Sequence, residues 1–278
     1  MGTHQSHRMP FSTEELRTKI ASQQWTAHNV RLNAECTTIT GKPDFMATDL
    51  RLHAILRVLD MLFGPRLNGV RVADLGCLEG GFSLALAERG ADVLGIEARR
   101  RNMEKAVLLQ QHFGLPNLRF QLGDVKNFSS NGAGQFDVVL ALGILYHLDQ
   151  PALWLQRVAA ATSRVLILDT HFAPADDAAM SLLDPRLSAL GPLESQEAGG
   201  LVAEGRWFRE FAEHADRESE LWASYSNSRS FWLTKKSLLR STRDAGFGLV
   251  LEQHDYSSDS YEFFNVTYPR CMLIAIKR

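Results

Sequence analysis

The chain has 278 residues, 45% of them hydrophobic, and its 30 Lys and Arg residues nearly balance its 32 Asp and Glu residues, for a formal net charge of -2. This composition excludes intrinsically disordered and collagen-like proteins, and the length allows one large domain or a domain with a subdomain. The balanced charge also disfavours nucleic acid as the main partner, since phosphate neutralisation usually needs an excess of Lys and Arg.

Three cysteines, Cys36, Cys77 and Cys271, lie far apart in the sequence and form no CxxC pair. This odd, scattered set fits a reducing compartment and predicts neither a disulfide framework nor a structural metal site. No segment resembles a secretion signal or runs long enough without charge to cross a bilayer. We therefore expect a cytoplasmic protein without a metal ion or a membrane partner, and the sequence leaves a homodimer open.

Residues 1–66 predict an N-terminal helical segment. Ser12 and Glu15 have capping-box spacing, in which the serine side chain accepts from the backbone and the glutamate reaches back. From about residue 44 to Leu62, apolar side chains recur at helical spacing, and Gly64 and Pro65 end the run. We expect these helices to pack on the main domain or to lie over its site.

From Val70 onward, short apolar runs alternate with helical stretches. The predicted strands are Val70–Leu75, Ala91–Ile96, Leu118–Leu122, Phe136–Leu142 and Val165–Leu168, and the predicted helices are Phe82–Glu88, Arg100–Phe113 and Pro151–Ala161. Near-continuous hydrophobicity is typical of strands covered on both faces, and the helices supply the crossovers of a parallel sheet. The pattern predicts a doubly wound α/β domain.

Between about Phe172 and Phe231 this alternation stops, and an insertion of that length predicts a lid or subdomain. After it, Thr234 caps a helix that ends at Gly246, and two apolar runs at 247–251 and 271–276 are expected to pair as an antiparallel hairpin at one sheet edge. The predicted organisation is therefore an N-terminal segment (1–66), a main domain (67–170 and 234–278) and a cap (171–233).

The segment VRVADLGCLEGGFSLALAERGADVLGIEARR, which begins at Val70, is the most informative. A buried strand ends near Asp74, a turn with glycines at 76, 80 and 81 leads into a helix, and the next strand ends at Glu97. Glycines let the backbone approach a ligand, the helix N-terminus offers unpaired N–H groups, and the acid can accept both hydroxyls of a ribose. Taken alone, Glu97 could equally be a solvated carboxylate at a strand end.

This turn resembles the (D/E)xGxGxG motif of class I S-adenosylmethionine-dependent methyltransferases, with Leu78 in place of the middle glycine. That departure also argues against a dinucleotide, whose pyrophosphate would require the glycine more strictly. LGDV, with Asp124, and FDVVLALGILYHL match later parts of the family in the correct order, although Asp124 could instead only cap a turn. The resemblance implies a seven-stranded Rossmann-like sheet with an antiparallel last strand, and S-adenosyl-L-methionine as cofactor. The residues it implies for cofactor binding are Asp74, Gly76, Cys77, Leu78, Gly80, Glu97, Ala98, Asp124, Val125, Leu142 and Gly143.

Two histidines follow the fourth and fifth strands, where a general base for methyl transfer would stand: His147 in LYHLDQP and His171 in DTHF. Either could instead be a hydrogen-bonded structural residue. LYHLDQP, the FWLTKKSLLRSTRDAGF helix and TYPR also resemble the branch that contains the tRNA uridine 5-oxyacetate carboxymethyltransferase. In that branch a tyrosine, an arginine and a lysine hold the carboxylate of the donor, which implies Tyr146, Arg270 and Lys42 here. For plain methyl transfer, Tyr146 is expected to line the reaction site.

Aromatic residues are dense in the insertion, where they predict either a subdomain core or the wall of an acceptor pocket. The predicted substrate-side residues are Trp25, His28, Trp207, Tyr225, Arg229, Trp232 and Arg270, with Glu210 and Asn227 as further polar candidates. The basic run from Arg99 to Arg101 is expected at the exposed start of a helix, and Cys77 is expected to be buried in the turn.

The hypothesis favoured by these patterns is a methyltransferase that acts on oxygen or nitrogen of a small metabolite, aromatic or apolar in character, without a metal. Three alternatives stay open: a tRNA wobble-uridine (carboxy)methyltransferase, a cofactor-binding regulatory protein without catalysis, and a nicotinamide oxidoreductase.

Overall fold

A seven-stranded mixed sheet forms the centre of the fold in the structure, a computed structural model that describes residues 11–43, 45–129, 134–256 and 267–277. In chain order, the strands of the described part are β1 (Arg71–Leu75), β2 (Asp92–Glu97), β3 (Leu118–Leu122), β4 (Phe136–Leu142), β5 (Thr162–His171), β6 (Leu190–Ala198), β7 (Leu201–Arg209), β8 (Arg229–Leu233), β9 (Leu249–Gln253) and β10 (Arg270–Ile276). Its α-helices are α1 (Thr13–Ala21), α2 (Leu50–Phe63), α3 (Gly81–Glu88), α4 (Arg100–Phe113), α5 (Pro151–Ala161), α6 (His214–Ser219) and α7 (Lys235–Asp244).

The strand order of the large sheet is β3-β2-β1-β4-β5-β10-β9. The first five strands run parallel, whereas β10 is antiparallel to both of its neighbours, β5 and β9. The predicted methyltransferase sheet, its antiparallel last strand and the edge hairpin are therefore confirmed. The carboxyl ends of β1, β2 and β4 meet at one edge of this sheet, where ligands bind in doubly wound folds.

Both faces of the sheet are covered, as the apolar strands predict. Successive residues of β4 point to opposite faces: Val138 and Leu140 pack in a core with α2 and α3, while Val139 and Ala141 pack in another with α5 and α7. Among the described residues, no helix has both the length and the apolar character needed to span a membrane.

Side-chain caps fix several helix starts. Ser12 and Glu15 form the predicted capping box at α1, and Thr234 accepts from the Ser237 N–H at α7. The helix expected from about residue 44 begins only at Leu50, where the Asp49 carboxylate accepts two backbone N–H groups. Residue 44 itself lies outside the described residues.

The insertion forms a second, antiparallel sheet in the order β6-β7-β8. It lies against the carboxyl edge of the large sheet, because the Phe231 N–H of β8 donates to the Leu148 carbonyl at 2.8 Å. The short helix α6 and the loop after it, residues 220–228, lead from β7 into β8. This sheet places insertion residues next to the segment that follows β4.

Candidate active site

A cavity of about 270 Å³ opens at the carboxyl ends of β1, β2 and β4. It is lined by most of the residues that the sequence predicted for the cofactor: Asp74, Gly76, Cys77, Leu78, Glu97, Ala98, Asp124, Val125, Leu142 and Gly143. Gly80 is not in the lining; it starts α3 with a φ of 80°. Of the predicted catalytic and substrate residues, the cavity wall includes Tyr146, His147, His28, Tyr225 and Arg270.

The turn between β1 and α3 explains why glycines are needed there. Gly76 and Gly80 have φ values of 71° and 80°, which L side chains rarely adopt. Leu78, at the position where the family motif has its middle glycine, also has a positive φ of 53°. A leucine in this left-handed region carries strain of about 1–2 kcal/mol, so the departure from the motif keeps the glycine-like backbone and adds an apolar side chain to the cavity.

Glu97 ends β2 with its carboxylate turned to the same turn. One oxygen accepts from the Leu78 N–H at 3.0 Å and the other from the Arg99 N–H at 2.8 Å. Burial raises the pKa of this carboxyl, and the two backbone donors oppose that rise. The side chain is thus fixed at the cavity wall, with lone pairs left for hydroxyl donors.

Asp74 lies beneath the turn and is buried. The Ser83 hydroxyl of α3 donates to it at 2.6 Å, which ties β1 to the helix. Burial raises the pKa of the Asp74 carboxyl to about 6, although the hydrogen bond from Ser83 lowers it. Across the cavity, Asp124 does cap a turn, accepting from the Lys126 N–H at 2.9 Å, and it lines the cavity as well.

The N-terminal segment closes the cavity from one side. His28 lines the wall, and its Nδ1 accepts from the Gly81 N–H at 3.0 Å. Because burial lowers the pKa of this imidazole to about 4, the ring is neutral and can accept at Nδ1. A side chain at position 81 would clash with the ring, since a Cβ there would lie 2.9 Å from it.

Glu79, a residue of the glycine turn that the sequence analysis did not single out, anchors this segment. Its carboxylate is fully buried and accepts from the N–H groups of Thr26, Ala27 and His28 at 2.7, 3.2 and 2.8 Å. Lys105 of α4 completes the site with a buried ion pair at 2.9 Å. The position of Glu79 in DLGCLEGG indicates that it lies near the turn. It does not indicate the partners of Glu79, because they are 26 to 53 residues away in sequence.

His147 and Glu210 form a buried pair at the cavity wall. His147 Nδ1 lies 2.9 Å from Glu210 Oε1, and the Ser230 hydroxyl donates to the same oxygen. Within the described part of the chain, His147 Nε2 has no hydrogen-bond partner. The sequence analysis named Glu210 as a polar candidate on the substrate side, and in the structure its carboxylate contacts His147 and Ser230.

His171, the other predicted base, lies in an aromatic cluster outside the cavity lining. Its ring stacks on Trp232 with centroids 4.9 Å apart and meets Tyr146 and Tyr268 edge-on. Its Nδ1 is 3.0 Å from the Pro269 carbonyl, and burial, aided by the Arg270 charge, lowers its pKa to about 3. β5 continues past the apolar run that ends at Leu168, and it therefore places His171 among these buried aromatic rings. This geometry favours a packing role for His171.

Arg270 reaches the cavity from the start of β10. Its guanidinium makes a two-pronged pair with the buried Asp169, at 2.7 Å for each contact, and Arg51 approaches the same carboxylate at 3.9 Å. Burial opposes ionisation of both partners, but the pairing outweighs it: it lowers the pKa of Asp169 and raises that of Arg270. Arg270 lies 5.9 Å from the ring centroid of Tyr146, so the structure brings these two predicted residues together. Burial raises the pKa of the Tyr146 phenol.

Arg99 departs from its expected exposed position. It is buried, and its guanidinium donates to the carbonyls of Arg217, Ala223 and Ser224 in the insertion. The helix-start pattern was correct for α4, but the residue before that helix faces the insertion and holds its loop at 220–228 beside Glu97. Sequence spacing alone gives no signal for contacts more than a hundred residues apart.

Four predicted substrate residues lie outside the cavity lining. Trp232 is buried in the aromatic cluster, Trp207 packs on Phe231, and Arg229 stacks over Trp207 at 4.1 Å. Trp25 packs against the core of the main domain. The subdomain-core interpretation of the insertion tryptophans thus fits Trp207 and Trp232 better than a pocket wall does. Trp222, in contrast, is 60% exposed and does line the cavity.

A second, larger cleft of about 720 Å³ adjoins the cavity and shares Ala27, Arg51 and Arg270 with it. Lys42 lines this cleft rather than the cavity. Among the described residues, no group of three or more His, Cys, Asp or Glu side chains is arranged to hold a metal ion.

Comparison with known proteins agrees with this geometry. Residues 67–198 match the model of a methyltransferase domain family. The chain is 41% identical over 87 residues to a ubiquinone biosynthesis O-methyltransferase of Psychrobacter arcticus, a match that covers 31% of this chain and 34% of the relative. It is 29% identical over 142 residues to the O-antigen chain terminator bifunctional methyltransferase/kinase WbdD of Escherichia coli, covering 47% of this chain and 20% of the relative. The matches thus span about a third or less of the length of these two relatives.

Among solved structures, the N-terminal domain of EvdMO1, determined with SAH and D-fucose, superposes with a TM-score of 0.68 at 24% identity, over 95% of both chains. Magnesium protoporphyrin IX methyltransferase (ChlM) of Synechocystis PCC 6803, with bound SAH, superposes with a TM-score of 0.52 at 19% identity, over 86% of this chain and 90% of the other. At these identities the likeness concerns the fold. The solved structures therefore show a methyltransferase fold, and residues 67–198 match a methyltransferase domain model.

Proposed function

We propose that this chain, whose residues 67–198 match a methyltransferase domain, is an S-adenosylmethionine-dependent methyltransferase that acts on a hydroxyl oxygen of a small molecule. The observation that carries the proposal is the cavity at the carboxyl ends of β1, β2 and β4, whose wall includes both the glycine turn and Glu97. Relatives with O-methyltransferase in their names favour oxygen over nitrogen.

The cavity residues fit an aminoacyl nucleoside. The lone pairs that the Leu78 and Arg99 N–H groups leave free on the Glu97 carboxylate suit the hydroxyls of a ribose. Asp124 and Val125, which also line the cavity, suit a purine ring. Gly76 and Leu78, in left-handed backbone, leave room for the aminoacyl tail. Arg51, which also lines the cavity, offers a positive charge to its carboxylate. Bound there, S-adenosylmethionine supplies an activated methyl group for in-line displacement.

The rest of the reaction needs alignment, exclusion of water and removal of one proton from the acceptor. His147 is our candidate for the base, since it lines the cavity and its Nε2 is not occupied by any described residue. Tyr146, beside it at 4.3 Å between ring centroids, would orient the acceptor. Insertion residues 221–227 cover the same end of the cavity and would exclude water.

The adjoining cleft is the candidate entrance for the acceptor. It meets the cavity at Ala27, Arg51 and Arg270, so an acceptor held there would face the cavity near Tyr146. One relative is named for ubiquinone biosynthesis, and one neighbouring structure was determined with D-fucose. Phenols and sugar hydroxyls therefore both belong in the assay.

Transfer of a carboxymethyl group to tRNA is the second candidate, because Tyr146 and Arg270 are neighbours as that resemblance implies. Two features weaken it. The Arg270 guanidinium already forms a bidentate ion pair with Asp169. Lys42 lies in the cleft rather than in the cavity. A donor carboxylate would therefore compete with a buried ion pair.

The test measures release of S-adenosylhomocysteine from S-adenosylmethionine with a panel of phenols, hexoses including D-fucose, and bulk tRNA, with carboxy-S-adenosylmethionine as the alternative donor. We expect release that depends on a phenol or sugar hydroxyl, and His147→Gln should lower kcat by about 10²- to 10⁴-fold while S-adenosylhomocysteine still binds. Turnover only with tRNA and the carboxylated donor would replace the proposal. The regulatory alternative would be favoured if S-adenosylhomocysteine binds, no acceptor is turned over, and His147→Gln has the same biological effect as the native chain.

A further inference from the structure

Glu210 is a buried residue of the insertion whose carboxylate contacts the ring of His147. It follows β7 directly and is only 8% exposed. Its Oε1 lies 2.9 Å from His147 Nδ1, and its own N–H donates to the Ser228 carbonyl at 3.0 Å. The side chain points toward the histidine, and the backbone hydrogen bond fixes the position of residue 210.

The chemistry of this contact decides which ring nitrogen of His147 carries a proton. An ionised carboxylate can only accept hydrogen bonds, and Ser230 already donates to Glu210 Oε1. Nδ1 of His147 must then be the N–H donor. In a neutral imidazole with the proton on Nδ1, Nε2 keeps its lone pair, and Nε2 is the nitrogen left unoccupied by the described residues.

The insertion also holds the backbone of His147. The Ser224 hydroxyl and the Asn227 amide donate to the His147 carbonyl at 3.2 and 3.0 Å. Ring and backbone of the histidine are thus fixed from the same segment, which is 63 to 80 residues away in sequence.

We propose that Glu210 is a positioning residue, which holds His147 in the Nδ1–H tautomer with Nε2 free to take the proton of the acceptor hydroxyl. The inference rests on the proposed function for its consequence in turnover, but the tautomer itself is independent of it. The insertion then orients the general base, His147, in addition to covering the cavity.

The deciding experiment is ¹⁵N NMR of the imidazole side chains in the full chain at pH 8, with the His147 signals assigned from their absence in His147→Gln. We expect a protonated Nδ1 and an unprotonated Nε2 in the native chain. Glu210→Ala should release the proton to Nε2, wholly or in part, and Glu210→Gln should keep the tautomer, because the amide oxygen can still accept. A native His147 protonated at Nε2 alone would overturn the inference.

Kinetics supply a second readout with an acceptor found in the panel above. Glu210→Ala should lower kcat by about 10²- to 10⁴-fold, the range for loss or misorientation of a base, with the affinity for S-adenosylhomocysteine changed by less than about threefold. Glu210→Gln should recover part of that loss.

Asp177→Asn is the matched control, since it removes another carboxylate of the insertion, the one paired with Arg206. We expect a native His147 spectrum and native kcat from it. A native kcat in Glu210→Ala, with only a loss of stability, would assign Glu210 a purely structural role. If S-adenosylhomocysteine does not bind while the Nδ1–H signature is present, the proposed function fails and the tautomer assignment stands.

Discussion

Removal of the Glu79 carboxylate should detach the N-terminal segment from the glycine turn. In the native chain this buried group accepts from three consecutive backbone N–H groups and from Lys105. Breaking a buried ion pair by removing one partner costs about 3–5 kcal/mol, because the other charge stays behind without compensation. The freed N–H groups of Thr26, Ala27 and His28 add to that cost where water cannot replace the acceptor. We therefore expect Glu79→Ala to lower the free energy of unfolding by at least about 3–5 kcal/mol, a large share of the roughly 5–15 kcal/mol that is typical of a domain.

Urea unfolding measures this loss, and limited proteolysis locates it. In Glu79→Ala we expect cleavage between α1 and α2 under conditions in which the native chain is protected, and weaker S-adenosylhomocysteine binding, because Ala27 and His28 line the cavity. Glu104→Ala is the control: it removes an exposed carboxylate next to Lys105 and should change stability by less than about 0.5 kcal/mol. A loss below about 1 kcal/mol in Glu79→Ala, with the segment still protected, would refute the reasoning.

Two further predictions concern pH and backbone strain. His28 and His171 have pKa values of about 4 and 3 in the folded chain, below the ordinary 6.5, so both take up protons on unfolding and the folded state loses stability as pH falls below 6.5. Each histidine should contribute up to about 1.4 kcal/mol per pH unit to the slope of the free energy of unfolding between pH 6.5 and 4. Urea unfolding of His171→Phe across this range should show that one such contribution is lost. An unchanged slope would contradict the burial argument. At position 78, where φ is 53°, Leu78→Asn should change the free energy of unfolding by less than about 1 kcal/mol, because asparagine tolerates this backbone. Leu78→Val should lower it by about 1–3 kcal/mol, and equal thermal stability of the two variants would show that the turn is unstrained.

Much of the fold could be predicted because its signals are local. Apolar runs and helical periodicity locate β3, β4, α4 and α5 at their observed bounds. The glycine turn and Glu97 could be predicted as one site, because parallel strands bring their carboxyl ends to the same edge. The capping residues Ser12 and Thr234 likewise act within three residues of their partners.

The parts that could not be predicted depend on contacts between distant segments. Nothing near Glu210 in sequence indicates that it meets His147, and the same is true of Arg99 and the loop at 220–228 that it holds. Trp207 and Trp232 illustrate a different limit. An aromatic side chain packs equally well in a core and in a pocket wall. For these two tryptophans, the register of β7 with β8 decides which of the two environments they occupy.

Titration calorimetry of the full chain with S-adenosylhomocysteine, and with NAD in a parallel run, tests the central claim most directly. Saturable binding of one S-adenosylhomocysteine per chain, weakened in Glu97→Gln and absent with NAD, is the result expected if the glycine turn and Glu97 hold the nucleoside of the methyl donor. No binding of S-adenosylhomocysteine, or equal binding in the native chain and in Glu97→Gln, would contradict it.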